Sequence, residues 1–539
     1  MKSRIFLWSL VSALAGFLFG FDTVVISGAE KTIQNLWELS PAMHGLAMGA
    51  ALWGTVLGSL LGSWPTDHFG RRKTLLWIGL LFLVGSVWSA FATEVYSFML
   101  ARFIGGIAIG VSTVAAPLYI SEIAPPEKRG RLAGMFQFNI VFGILVALLS
   151  NYFLANTGDN AWRWMLGVMA FPSLVYTMAC FLIPESPRWL LTRKGDRAGG
   201  LKVLQLITPE ASAADIAAQA DHIVAGASAG KASTAGFWSA RLKLPILLAF
   251  LIAFFNQLSG INAILYFAPR IFGLTGSGPE DSLLQSVGIG VTNLIFTFVG
   301  LWLIDRIGRR TLLFIGSFGY IISLGLCAWA FFHWAPQFKV ASSAWELSVL
   351  AEKLENPDTP NRDVVQKDYA AALKAMESAG REWEHADPAG RERVHTGDYR
   401  FVPWSASDPP AEVNAWARQI VKKAAEDAGF GGLMVLLCIF AFIASHAIGQ
   451  GAVIWVFISE IFPDKFRAQG QSLGSFTHWI FAALLTTFFP TMIAAFAPGW
   501  VFLLFCSMMV LQLIWVKTMV IETKGVPLED IEKKLGITA

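Results

Sequence analysis

Asp67-His68-Phe69-Gly70-Arg71-Arg72 and Asp305-Arg306-Ile307-Gly308-Arg309-Arg310 are one phrase written twice in an otherwise apolar chain. Working outward, Ser121-Glu122-Ile123 returns as Ser459-Glu460-Ile461, each followed by Pro and then by Arg129 or Arg467. Pro184-Glu185-Ser186, before Arg188, has a weaker echo in Ile521-Glu522-Thr523. The first pair is offset by 238 positions and the other two by 338 and 337. The chain is therefore two copies of one unit, and the second copy carries about 100 extra residues between its first and second phrase. A duplicated apolar half whose basic turns recur in register reads as a secondary transporter with its site between the halves.

Composition agrees. Hydrophobic residues make up 55% of the chain and charged residues 15%, and mean hydropathy is +0.55. A soluble chain of 539 residues needs more charge on its surface, so this is a polytopic membrane protein. A net charge of +3 argues against a nucleic-acid partner. The four cysteines lie in apolar segments without metal spacing. Lys2 and Arg4 precede an apolar run that passes Val25 without a cleavage site, so an uncleaved first span is expected.

Twelve segments are long and apolar enough to span, at 5–27, 44–64, 73–92, 97–120, 132–154, 162–183, 244–272, 283–304, 311–334, 431–458, 470–494 and 498–521. Basic residues concentrate in alternate turns, which places both termini in the cytoplasm of a cell (inner) membrane protein. The expected organisation is a six-helix bundle over 1–183, a cytoplasmic helical segment over 184–243, a second bundle over 244–521 and a tail over 522–539. An external insertion over 335–430 holds 12 Lys/Arg and 16 Asp/Glu. Within it, 361–384 and 411–429 read as amphipathic helices, and 214–225 reads as another in the cytoplasmic segment.

Four groups of residues carry chemistry. At the cytoplasmic ends, Arg71, Arg72, Arg129, Arg188, Arg309, Arg310 and Arg467 can pair with Asp67, Glu122, Glu185, Asp305 and Glu460, and are expected to latch the two halves together when the site faces outward. Asp22 sits inside a span, where a carboxylate is costly and marks function. Counting about five residues from the outer ends of their spans puts Asp22 and Arg102 at one depth, on the order of 7–8 Å below the external surface. Such an acid, free to exchange an arginine for a proton, is a proton switch. Amides on apolar helices form the third group: Gln137 and Asn139, then Asn256, Gln257 and Asn262, then Asn293. They donate and accept, as the hydroxyls of a polyol require. Gly260 and Pro269 predict a broken seventh span, the kind of helix on which transporters place sites. Trp455 and Trp479 form the fourth group, away from the interfacial belts, where an indole can face a sugar ring; His478 adjoins them. Glycines of the second span and Gly105, Gly106 and Gly110 predict close helix packing. The sequence has no phosphate loop, nucleophile elbow or metal cluster, so neither an enzyme nor an ATP-driven pump is expected, and no cofactor or metal. His385 and His395 form no catalytic set.

Phe19-Gly20-Phe21-Asp22, Ile26-Ser27-Gly28-Ala29, the two Asp-to-Arg turns, Arg102 to Gly110, Pro184–Trp189, Asn256–Asn262 with Tyr266, and Ser459–Pro463 resemble the sugar porter family of the major facilitator superfamily. They are closest in character to bacterial proton-coupled xylose and hexose symporters. The resemblance implies an all-α membrane protein of twelve transmembrane helices in two pseudo-symmetric six-helix bundles, working by alternating access and functional as a monomer in the lipid bilayer. It implies that Gln137, Gln257, Asn262, Asn293 and Trp455 touch the sugar, with Asn256 beside them. Phe19 and Tyr266 stand at aromatic positions that line or gate the cavity, and Asp22 with Arg102 stands at the proton-coupling pair. Three departures are plain. The proline-rich bend of the family before Trp455 is here Gly449-Gln450-Gly451-Ala452-Val453-Ile454; His478 replaces an amide; the large insertion is not typical of bacterial members. The function expected is proton/monosaccharide symport, with a uniporter or a non-transporting sugar receptor as alternatives.

Overall fold

The structure, a computed structural model, describes residues 2–125, 129–229, 236–357, 359, 362–386, 404–463, 465–526 and 528–537. It is helical, and twelve of its helical stretches have the length and composition to cross a bilayer. In the first half these are α1 (Lys2–Leu36), α2 (Pro41–Leu61), α3 (Arg71–Phe91), α4 (Val95–Ile123), α5 (Arg129–Leu154) and α6 (Ala161–Leu182). The two longer helices that follow outside the spans are α7 (Arg197–Ile207) and α8 (Ala213–Ala229), gathered on Leu191, Leu204, Ile216 and Ala220.

The seventh span is broken into α9 (Lys243–Leu258), α10 (Ile261–Tyr266) and α11 (Ala268–Gly273). Gly260, at φ 88, makes the first break as expected. Then come α12 (Pro279–Ile307) and α13 (Arg309–His333). The insertion forms α14 (Ala335–Glu355), α15 (Arg362–Ala386) and α16 (Pro410–Ala428). These three surround a core of their own that includes Leu347, Tyr369, Trp383 and Ile420. Two amphipathic helices were expected there, and α14 is additional. The tenth span is α17 (Gly431–Ile448) plus α18 (Gln450–Glu460), and α19 (Arg467–Ala495) and α20 (Pro498–Thr518) complete the second half. The chain thus forms two six-helix bundles.

Small residues set the packing, since lipid supplies no hydrophobic drive between helices. On α4, Gly106 and Gly110 lie against the backbone of Ala51 and of Ser59 on α2. Between the halves, Gly45 and Gly49 of α2 sit against Thr487 of α19, and Trp53 Nε1 donates to Thr487 Oγ1 at 3.1 Å. Phe138 of α5 meets Phe298 of α12 with ring centroids 5.5 Å apart.

The duplicated turns are near-superimposable devices. Gly70 has φ 95 and ψ 165, and Gly308 has φ 95 and ψ 166. In the first turn, Arg71 Nε and Nη2 donate to Glu122, both at 2.9 Å, and Nη1 donates to Asp67 at 3.1 Å. Glu185 Oε1 accepts from the backbone N–H of Arg71 and Arg72. Burial pushes the Glu185 carboxyl up from the usual range, opposed by the N–H groups of Ser186, Arg72 and Arg71. In the second turn, Arg309 bonds Glu460 at 2.9 and 3.2 Å and Asp305 at 3.0 Å, while Glu522 accepts from the N–H of Arg309 and Arg310. The outer arginines bond main-chain carbonyls, Arg72 that of Phe181 and Arg310 that of Lys517.

In this structure each of these pairs closes inside its own half, so none of them joins the halves in the state seen here. Acid and arginine were duplicated together, so each copy carries its own partners. Arg193, not the exposed Arg188, joins Asp67, at 2.9 Å. Arg467 opens α19, and the side chains of Arg129 and His385, with all of His395, lie outside the described residues. A Cβ on Gly308 would collide with Glu522, and its φ disfavours any other residue. Gly308→Ala is expected to destabilise the protein by about 2 kcal/mol or more, read as a lowered midpoint in thermal unfolding in detergent.

Candidate functional site

Seven of the nominated residues come together between the halves. The left-handed turn at Gly260 ends α9 and starts α10, so side chains from both short helices converge. Gln257 is the hub. Its Nε2 donates to Asn256 Oδ1 at 2.8 Å and lies 3.1 Å from the ring nitrogens of His478. Its Oε1 accepts from Asn262 Nδ2 at 2.6 Å. Trp455 and Trp479 flank the His478 ring at 5.3 and 4.7 Å. Phe19, from the first half, reaches Trp479 at 5.5 Å, so the cluster spans the boundary. The result is a wall of amides and imidazole beside flat aromatic faces, suited to a ligand with ring C–H surfaces and several hydroxyls.

Gln137 is half-buried on α5 and Asn293 is buried on α12, and neither makes a side-chain hydrogen bond among the described residues. Neither is drawn into the Gln257 chain. Asn139 bonds the carbonyl of Met135 on its own helix, the ordinary role of an intramembrane amide. Gln257→Ala would strand Asn256, Asn262 and His478 together. It is expected to weaken the binding of a hydroxyl-bearing ligand at this wall by roughly 10- to 100-fold, since about 1–3 kcal/mol attaches to polar groups left unpaired. Counterflow titration measures it.

Asp22 and Arg102 meet as expected, both 3% exposed. Arg102 Nη1 donates to Asp22 Oδ1 at 2.6 Å, and Nη2 donates to the Asp22 carbonyl at 2.9 Å. Asp22 Oδ2 and Arg102 Nε have no hydrogen-bond partner among the described residues, and neither does the buried hydroxyl of Tyr266. That hydroxyl belongs to the second half, yet lies within electrostatic reach of both charges. The depth argument needs revision. α1 runs to Leu36, nine residues beyond the expected end at 27, so Asp22 sits nearer the middle of its helix. The apolar window stopped early because Glu30, Lys31 and Gln34 continue the helix with polar side chains.

The tenth span breaks without prolines. Gly449, at φ −83 and ψ −102, separates α17 from α18. A Cβ there would lie 2.8 Å from the Cα of Gly316 on α13, so the two helices touch backbone to backbone. Gln450 is anchored beside the break by Gln512, which in turn donates to Ser317. Tyr320 and His446 pair at 2.8 Å on the turn before it.

Sequence reading missed one constellation, at the end of the bundles opposite the basic turns. Arg270 of α11 grips Glu30 of α1 with two nitrogens, at 3.0 and 2.8 Å, and also bonds Gln34. Glu30 is 2% exposed, and His44 Nε2 of α2 lies 3.1 Å from it, off the hydrogen-bonding direction. The ring of Phe267 covers His44 at 5.9 Å. This forked ion pair, buried on the Glu30 side, ties the two halves together. The spacing Ile26, Glu30, Gln34 was the available signal, one helical face carried past the apolar window.

With this geometry in hand, comparison with known proteins is informative. The chain matches the family described as "Sugar (and other) transporter" over residues 8–346 and 416–535. The gap falls on the insertion. The arabinose-proton symporter of Bacillus subtilis is 28% identical over 535 residues, covering 98% of this chain and 94% of the relative. The probable metabolite transport protein CsbC of the same organism is 31% identical, with 97% and 93% covered. Among solved structures, the inward open conformation of the xylose transporter XylE from E. coli aligns with a TM-score of 0.69 and 25% identity, covering 98% of this chain and 99% of that one.

Proposed function

The chain belongs to the Sugar (and other) transporter family, and from that premise we propose that it imports a monosaccharide, pentose or hexose, together with a proton. It is a multi-pass membrane transporter with the major facilitator fold and not an enzyme. The observation that carries the reading is the pairing of two sites at the junction of the halves. One is the Gln257 chain with its aromatic walls; the other is Asp22, bonded to Arg102 through one oxygen and bare at the other.

The cycle follows from where these groups sit. The basic turns lie in the cytoplasm by the bias of positive charge, which puts the Glu30–Arg270 end outside. The Glu30–Arg270 pair joins the halves at that end, which supports reading this state as closed to the exterior. To load, the pair separates and the external mouth opens. Protonation of Asp22 removes the charge that holds Arg102. The Tyr266 hydroxyl, on the gate helix α10, senses that loss, and the sugar hydroxyls take over the hydrogen bonds that Gln257, Asn262 and His478 now make to one another. The halves then rock about the α2–α19 and α5–α12 seams. On the other side Asp22 loses its proton to the cytoplasm and re-forms the arginine pair.

Proteoliposomes under an imposed proton gradient test this. A panel of monosaccharides should show uptake of one or a few, with alkalinisation of the external medium on sugar addition. Uptake without alkalinisation would make the protein a uniporter; binding without flux would make it a receptor.

A further inference from the structure

Much of α14–α16 falls in the gap of the family match, between residues 346 and 416, and the contacts of these helices are asymmetric. They grow out of the second half and pack on it. Phe338 of α14 meets Phe331 of α13 with centroids 5.6 Å apart. The turn between α11 and α12 lies against α14, where a Cβ on Gly278 would lie 2.6 Å from the Trp345 ring. Toward the first half the contacts are ionic. Lys31 of α1 faces Glu346 of α14 at 3.9 Å, and Glu38, just past the end of α1, holds Lys367 of α15 at 3.0 Å. Glu38 has φ 46, the one non-glycine residue with positive φ among those described. The end of a helix usually spends a glycine on such a position. Here the chain keeps a carboxylate there, and that carboxylate meets the insertion.

We propose that α14–α16 form an external lid that rides on the second half and is locked to the first by Lys31–Glu346 and Glu38–Lys367, so that lid release is an obligatory part of opening to the outside. The inference rests on the transport reading. Both pairs connect bodies that must separate at this end whenever the mouth opens. Both are exposed, so each is weak and salt-screened. A lock that must open in every cycle has to be weak. Glu346 also bears electrostatically on Arg270, which places the lid next to the buried Glu30–Arg270 pair. The three ion pairs form one outer closure, buried at its base and exposed at its rim.

The full-length protein in proteoliposomes tests this. A Glu38→Cys/Lys367→Cys pair is bridged from outside with a short bis-methanethiosulfonate linker, which forms a disulfide with each thiol as methanesulfinate leaves. The expected result is sugar uptake reduced at least about tenfold while linked and restored by reductant, with the linker leaving the rate of each single cysteine variant unchanged. Linked protein transporting at the unlinked rate overturns the lid. Absence of sugar flux in both the unmodified and the reduced protein would strike the transport reading instead. Lys367→Glu should lower the half-saturating external sugar concentration roughly two- to fivefold, the scale of one exposed pair. Adding Glu38→Lys should restore it. A single variant indistinguishable from the double and from the parent also counts against the lid.

Discussion

Uphill accumulation by the Asp22→Asn variant is expected to disappear while exchange of sugar across the membrane continues. Asparagine keeps an oxygen where Arg102 Nη1 donates at 2.6 Å, and the second bond of Arg102 goes to the Asp22 carbonyl, which the substitution leaves in place. The pocket therefore stays assembled. What is lost is the group that can carry a proton, and with it the coupling to the gradient. One charge across a potential of about 100 mV is worth roughly 2.3 kcal/mol, a concentration ratio of about 50. The variant should bring sugar to equal concentration on both sides and no further. Counterflow, which needs no driving force, should persist within a few-fold of the parent. The measurement is accumulated sugar at steady state under a membrane potential and an inward proton gradient, alongside counterflow at matched pH. Accumulation well above unity in the variant would remove Asp22 from the coupling step.

A second large effect is expected at the outer ion pair. Glu30→Gln removes the negative charge opposite Arg270 while preserving shape. Breaking a buried pair by neutralising one partner costs about 3–5 kcal/mol. Arg270 is 22% exposed, so the lower end applies, about 3 kcal/mol. The cost falls on the state in which the pair is formed, so the population shifts toward the externally open state by roughly 100-fold. A cysteine at Ser27, buried one turn deeper on α1, should react far faster with a membrane-impermeant thiol reagent from outside when Glu30→Gln is present. Equal labelling rates in the two backgrounds would exclude this pair as a gate.

How much of this was legible in the chain depended on the physical signal each feature leaves. The twelve spans were legible because apolar length is a strong signal in a bilayer. Asp22 with Arg102 was legible because each is a charge inside an apolar run, and two such charges seek each other. The Gln257 cluster was legible as a run of amides around a helix-breaking glycine. The Glu30–Arg270–His44 group was not, because its members lie on three helices near span ends, where charged residues are ordinary. The acids that partner the basic turns were legible, but not which acid belongs to which turn; the matched offsets of Glu122 with Glu460 and of Glu185 with Glu522 carry that pairing, because each turn was copied with its own acids. α14 was missed because it starts directly after the ninth span, separated from it only by the bend at Trp334.

The ends of the insertion are neighbours. A Cβ on Gly431, where the tenth span begins, would lie 2.7 Å from the ring of Trp334, where the ninth ends. The chain leaves the bundle and re-enters it at one spot, after folding α14, α15 and α16 around a separate core. Such a unit can be gained or shed in a single genetic event without re-routing anything beneath it, so lineages of this architecture are free to differ by the presence of an entire appended module while their membrane parts evolve gradually.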